Sequence, residues 1–199
     1  MKRATKYRTV ASLALFLFLL IFNTSCSNSL FKVKPPSEMP ALPGSTASAD
    51  VGTLTFRAAP LLTDEETQEL FEANLQLAGL MPVRVEIVHN SGAAMDLKKL
   101  RFQLHDAANA DWKMISAKQA IARILKANGV FAYNPNSRKT FEKEFRAYEL
   151  DLKTPLAHSE GKRQGIIIFQ TAKKEPVSSP RDLVLSVEGL GQPVSLKLN

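Results

Sequence analysis

At 199 residues, with 45% hydrophobic and 23% charged residues, the chain has the composition of a globular protein and the length for one domain with its own core. The formal charge of +7 includes Lys2, Arg3, Lys6 and Arg8 at the very start; without these four it is +3, too mild to point to nucleic acid. A single cysteine excludes an intrachain disulfide and a zinc site of the cysteine type.

That cysteine, Cys26, stands behind an apolar run, Val10 to Phe22, which itself follows the basic start. A membrane-spanning helix needs about 20 apolar residues. The run is shorter and matches the apolar region of a secretory signal. With Asn23-Thr24-Ser25-Cys26 behind it, the segment resembles a bacterial lipoprotein signal peptide, although Asn23 stands where such signals usually carry an aliphatic residue. The resemblance implies cleavage after residue 25 and fatty acylation, palmitate among the acyl groups, at Cys26. Ser27 rather than Asp after the cysteine implies the periplasmic face of the outer membrane, if the cell has two membranes. The alternatives are an ordinary cleaved signal with a free cysteine, or an uncleaved anchor. More than one acyl chain gives stable anchoring, at about 0.8 kcal/mol per buried methylene. No later segment is apolar and long enough to span.

Residues 26–52 read as a lipidated cysteine and flexible tether. Pro35-Pro36, Pro40 and Pro43 lie among serines and alanines, with few apolar residues to offset the entropy of ordering. As a coil the segment reaches roughly 30 Å. The alternative is an N-terminal arm packed on the domain.

The domain is expected over 53–199. Thr53 to Ala59 alternates and predicts a strand. Thr63-Asp64-Glu65-Glu66 is a capping-box pattern opening a helix that runs through Leu70, Phe71 and Leu75 to a stop at Gly79. Val83 to Asn90 and Leu100 to His105 are the clearest alternating strands, with Arg84, Glu86 and Asn90 opposite the apolar face of the first. Asp106 to Asp111 is a polar turn. A helical insertion of about 116–149 follows: Ser116 caps one helix ended by Gly129, and Phe141, Phe145 and Tyr148 stripe a second. Gly165-Ile166-Ile167-Ile168-Phe169 predicts a strand covered on both faces. Arg181 to Glu188 and Pro193 to Leu198 form a C-terminal hairpin around Gly189-Leu190-Gly191. Hairpins, alternating faces and no βαβ rhythm predict a mainly β domain with inserted helices, an antiparallel β-sandwich.

Three features recur in this order: Ala78-Gly79-Leu80-Met81-Pro82-Val83, preceded by Phe71 and Leu75, leading into a strand ending His89-Asn90; the Gly165 to Phe169 strand; and Pro180-Arg181-Asp182-Leu183 entering the last hairpin. Together they resemble a group of uncharacterised bacterial lipoproteins with an immunoglobulin-like domain, over roughly 51–199. The resemblance implies fold and location and carries no activity.

Chemistry-bearing motifs are sparse. His89, His105 and His158 make no metal-ligand spacing, no G-x-S-x-G occurs, and Asp64, Glu65 and Glu66 read as a helix start. No catalytic residue, metal or cofactor is expected, and no enzyme. Lys98-Lys99, Lys162-Arg163 and Lys173-Lys174 read as solvated surface, or as weak contacts to anionic headgroups or wall polymers. Trp112, beside the polar turn, is either packed against the helical insertion or exposed as a candidate partner contact. The expectation is an anchored, non-catalytic interaction or structural module with an envelope protein partner. The alternative is a small-ligand or lipid carrier with a pocket between helices and sheet, for which a cavity of about 300 Å³ is the mark.

Overall fold

In the computed structural model, residues 29–44, 46–107, 111–178 and 180–199 are described; the signal-like run and Cys26 lie outside them. Eight strands alternate with helices along the chain: β1 (Ala47–Val51), β2 (Leu54–Pro60), α1 (Asp64–Phe71), β3 (Leu80–His89), β4 (Arg101–His105), β5 (Asp111–Ile115), α2 (Ala117–Ala127), α3 (Pro135–Arg146), β6 (Lys162–Gln170), β7 (Val184–Glu188) and β8 (Val194–Lys197). The fold is mainly antiparallel β with a few helices. No helix among the described residues is long and apolar enough to cross a membrane.

The strands form one hydrogen-bonded sheet in the order β1-β2-β3-β6-β5-β4-β7-β8. It curls so far that its two edges, β1 and β8, lie side by side without pairing. Strand β5 is the hinge of the curl: Ile115 and Met114 pair with β6, while Trp112 pairs with Leu104 of β4. Inside the curl, Leu54 and Phe56 of β2, Val83, Val85 and Ile87 of β3 and Phe169 of β6 meet Leu104, Leu185 and Leu196 from the other end of the sheet. This is the alternation of each strand made physical: one side of the pleat goes into the core.

A second core lies on the outer side of β3, β6 and β5. There Leu80, Ile166, Ile168 and Ile115 pack against Ile121 and Ile124 of α2, Phe141 and Phe145 of α3, and Phe71 of α1. The unbroken apolar run of β6 is thus buried on both faces. Its single glycine has a steric reason. A Cβ on Gly165 would come within 2.5 Å of the Leu150 Cα, because residues 148–150 cross β6 there, Ile166 N–H donating to the Tyr148 carbonyl at 2.6 Å.

Helices α1 and α2 begin with reciprocal capping boxes, Thr63 with Glu66 and Ser116 with Gln119; Asn134 caps α3. Helix α1 ends at Phe71, eight residues before Gly79, with Glu72 in the left-handed conformation as its cap. The apolar spacing of Ala73, Leu75 and Ala78 is satisfied by a compact turn instead. Buried Gln76 accepts from the Thr67 hydroxyl and donates to the Leu61 and Thr63 carbonyls, and Asn128 of the α2 end exchanges hydrogen bonds with the Asn74 backbone. These tertiary bonds replace the missing helical ones. Gly79 is a close-approach position: a Cβ there would lie 2.5 Å from the Glu175 carbonyl.

The flexible tether expected over 26–52 is corrected for its described part. Residues 30–39 form an arm across the second core, and 47–51 are strand β1, paired with β2 from Ala47↔Ala58 to Val51↔Leu54. Leu30, Phe31, Val33 and Met39 suffice because each finds a prepared slot; the Phe31 ring stands edge-on to Phe141 at 5.0 Å. Lys34 N–H donates to the Leu70 carbonyl, the Tyr148 hydroxyl donates to the Lys34 carbonyl at 2.6 Å, and Lys34 pairs with Glu69. Further along, the Pro40 and Pro43 carbonyls accept from Arg84 and Arg57. The polar face of β3, read as opposite the core, is thus partly covered: Arg84, which reaches the Pro40 carbonyl, and Glu86, held by Arg57 and Lys162, are buried.

Candidate functional site

Residue 89 ends the inner face of β3, two places after Ile87, and so an imidazole enters the rim of the core. His89 is 2% exposed. Its ring meets that of His158 edge to face, with centroids 5.7 Å apart, and His158 Nδ1 lies 3.2 Å from the His89 carbonyl oxygen. Among the described residues neither ring nitrogen of His89 has a hydrogen-bond partner. The fold thus brings together two histidines 69 residues apart, a juxtaposition that spacing along the chain does not reveal. His105 ends a different strand, β4. Among the described residues no three His, Cys, Asp or Glu side chains gather where a metal could sit. Two imidazoles fall short of the three or four protein ligands of ordinary zinc sites.

The space between sheet and helices is nearly full. A cleft lined by Phe71, Leu75, Phe145, Tyr148, Ile166 and Ile168 has a free volume of about 30 Å³. That is room for about one water molecule and a tenth of what a small-ligand pocket offers. Tyr148 closes one side of it. Burial, with the charge of Glu38 adding, pushes its hydroxyl up to about 12. A roomier groove of about 420 Å³ follows the seam between the two sheet edges, lined by Ala47, Leu61, Arg84 and Leu198, and is open to solvent.

The charged cluster on the outer face of β2, β3 and β6 is structural. Glu86 accepts from Arg57 at 2.9 Å and from Lys162 at 3.0 Å. Burial acts to raise its carboxyl, but the hydrogen bonds and charges of Lys162 and Arg57 outweigh burial and hold it below the usual carboxylate value. Arg163 clamps the loop before β6 through Glu160 and the Asp151 carbonyl. Lys162 and Arg163 are thereby tied to acidic partners of the fold, although Lys162 is exposed like Lys98, Lys99, Lys173 and Lys174.

Trp112 is corrected as a candidate partner contact. It lies on β5, a strand the sequence reading leaves unassigned beyond Asp111, is 8% exposed within the inner core, and donates through Nε1 to Asp106 at 3.1 Å. The strand escaped notice because only five residues long, with Lys113 and Met114 among them, it shows no clean alternation. Cys26, the proposed lipid site, lies outside the described residues.

The surface feature with consistent character is the helical layer. Segment 116–149 holds seven basic and three acidic residues, a net +4, so the rest of the chain after Cys26 is close to neutral at −1. Lys118, Lys126, Lys139, Lys143 and Arg146 are exposed, and the loop between α2 and α3 carries Phe131, 78% exposed. Of the acids, Glu142 is tied to Arg138 and Glu149 accepts from the Ala117 N–H.

Fold and surface together define a class: a curled antiparallel β domain with one sheet face covered by helices and an N-terminal arm. Compared with known proteins, the chain matches no family model, no curated protein and no solved structure.

Proposed function

We propose that this protein is a membrane-anchored envelope lipoprotein, held by acyl chains on Cys26, whose β domain is a non-catalytic interaction or structural module. The observation that carries the reading is the N-terminal order of basic residues, the apolar run Val10 to Phe22, and the one cysteine of the chain directly behind it. The arm supports it in a second way. The described chain is packed on the domain from Leu30 onward, so an anchor at Cys26 would hold the domain against the membrane surface rather than at the end of a tether. In a two-membrane envelope the reading puts the protein on the periplasmic face of the outer membrane. An envelope protein is the partner class it implies.

The finer fold assignment belongs with this reading. Two facing sheet halves around one inner core favour the immunoglobulin-like sandwich and the lipoprotein group that the sequence resembles. The continuous strand order, with β5 bonded to both halves, speaks equally for a barrel opened between β1 and β8. The carrier reading has less to rest on, since the cleft under the helices holds about 30 Å³.

Replacing Cys26 by Ala in the full-length chain tests the anchor. Membrane fractions from cells should contain the parent with an acyl mass increment, and the variant should lack that increment. An unmodified parent would refute lipidation whatever its fractionation. Crosslinking in intact cells with the anchored protein then asks for the partner.

A further inference from the structure

We propose that the outer face of the helical layer docks on the anionic headgroups of the membrane that holds the Cys26 anchor, with Phe131 entering the interface and Lys126, Lys139 and Lys143 on the same layer. The proposal rests on the lipoprotein reading and deepens it by naming the surface that meets the lipid.

Three observations converge. The first is charge. The helical segment carries a net +4 and the rest of the chain after Cys26 a net −1, so the basic excess of the mature chain is gathered on this one layer. Lys139, Lys143 and Arg146 share the side of α3 opposite its buried Phe141 and Phe145, and Lys126 lies on the side of α2 away from its buried Ile124, with Lys118 on the flank of that helix. The α3 stripe and Lys126 point away from the second core, on two helices that pack together.

The second is Phe131. It is the most exposed of the large apolar side chains described, and it shares a groove with Ala122, Lys126, Tyr133 and Arg138. An aromatic ring amid lysines is the composition of surfaces that lie in the headgroup region.

The third is where the chain enters. Ser29 borders the same groove as Glu144 of α3, and two residues on Phe31 packs on Phe141. Cys26 is three peptide steps before Ser29, a covalent reach of at most about 11 Å. An acylated Cys26 therefore brings the bilayer surface near α3, on the flank of that helix that carries Phe141 and Glu144. Acyl chains and a basic patch are the two signals that together give firm membrane attachment. Attraction to the anionic surface falls off within a Debye length, about 8 Å at physiological salt, so it acts on cations that the anchor holds close to the headgroups.

The test uses the full chain, expressed in the membrane-processing host, confirmed acylated by intact mass, and inserted from outside into preformed vesicles. The vesicles are phosphatidylcholine alone or with about one third phosphatidylglycerol. Once Cys26 is acylated, Phe131→Cys supplies the sole free thiol, and Lys98→Cys on the β3–β4 connection serves as control. On anionic vesicles a membrane-impermeant maleimide should label position 131 at least about tenfold more slowly than on neutral ones, with high salt restoring the rate and position 98 unaffected. Adding Lys126→Glu, Lys139→Glu and Lys143→Glu should restore labelling at 131 while the protein stays in the vesicles. Equal rates on both lipids overturn the docking, as does protection found only in native envelope vesicles, which would assign the face to a protein partner. A chain without acylation fails the lipoprotein reading itself, and the docking falls with it.

Discussion

Glu86 is the residue where burial and charge oppose each other most directly. It is 5% exposed and satisfied by Arg57 and Lys162, which hold its folded pKa below the unfolded value near 4.5. A depressed carboxylate contributes stability above the unfolded pKa, and the contribution is lost as pH falls through the folded one. Glu86→Gln should therefore lower stability by about 1–3 kcal/mol at neutral pH, with the gap to the parent narrowing as pH drops below 4.5 in denaturant titrations. A constant gap across that range would mean the loss is packing rather than charge. His89 predicts the opposite sign. Its buried ring nitrogens lack partners among the described residues, and an unsatisfied buried polar group costs about 1–3 kcal/mol. His89→Leu should be neutral or stabilising in a thermal melt. A clear loss would reveal a ligand of the imidazole, such as an ordered water, worth finding.

At the scale of elements, the crossing of residues 148–150 over β6 ties the helical layer to the sheet. Glu149 and Ile166 make a parallel bridge, beyond the point where β5 stops pairing with β6 at Ile168. The segment thereby continues along an edge of β6 that β5 leaves free. Gly165→Ala puts a methyl group 2.5 Å from backbone, which cannot swing aside as a side chain tip does. The substitution should cost about 2–3 kcal/mol and lower Tm by about 5–10 °C. Retention of the parent Tm would mean the crossing segment is free to shift. Gly165 was legible in the sequence only as part of an apolar run; that it marks a crossing depends on residues 15 positions upstream.

Across the whole molecule, the arm acts as a third layer at the helices and as a partial cover for the polar face of β3. Phe31→Ala should destabilise by about 1–3 kcal/mol, since the ring is only partly buried, and limited proteolysis should shift to cleavage within 29–44. An unchanged cleavage pattern would count against the arm as part of the folded unit. Under the proposed anchoring at Cys26, a packed arm would restrict which face the domain turns to the membrane, where a tether would let it sample a wide volume.

The chain by itself determined the features set by local pattern. Period-two alternation placed β2, β3, β4 and the β7–β8 hairpin, and the capping residues Thr63 and Ser116 placed two helix starts, because strand faces and helix caps are satisfied by near neighbours. The N-terminal resemblance is local in the same sense. Only the tertiary structure decided the rest: that the sheet curls through β5, that α1 stops at Phe71, that His89 meets His158, and that residues 30–51 are packed arm and strand. Each of these depends on partners distant in the chain. A polar, proline-bearing segment becomes ordered when its few apolar residues meet prepared slots, and a helix ends early when buried Gln76 and Asn128 supply its turn with better hydrogen bonds.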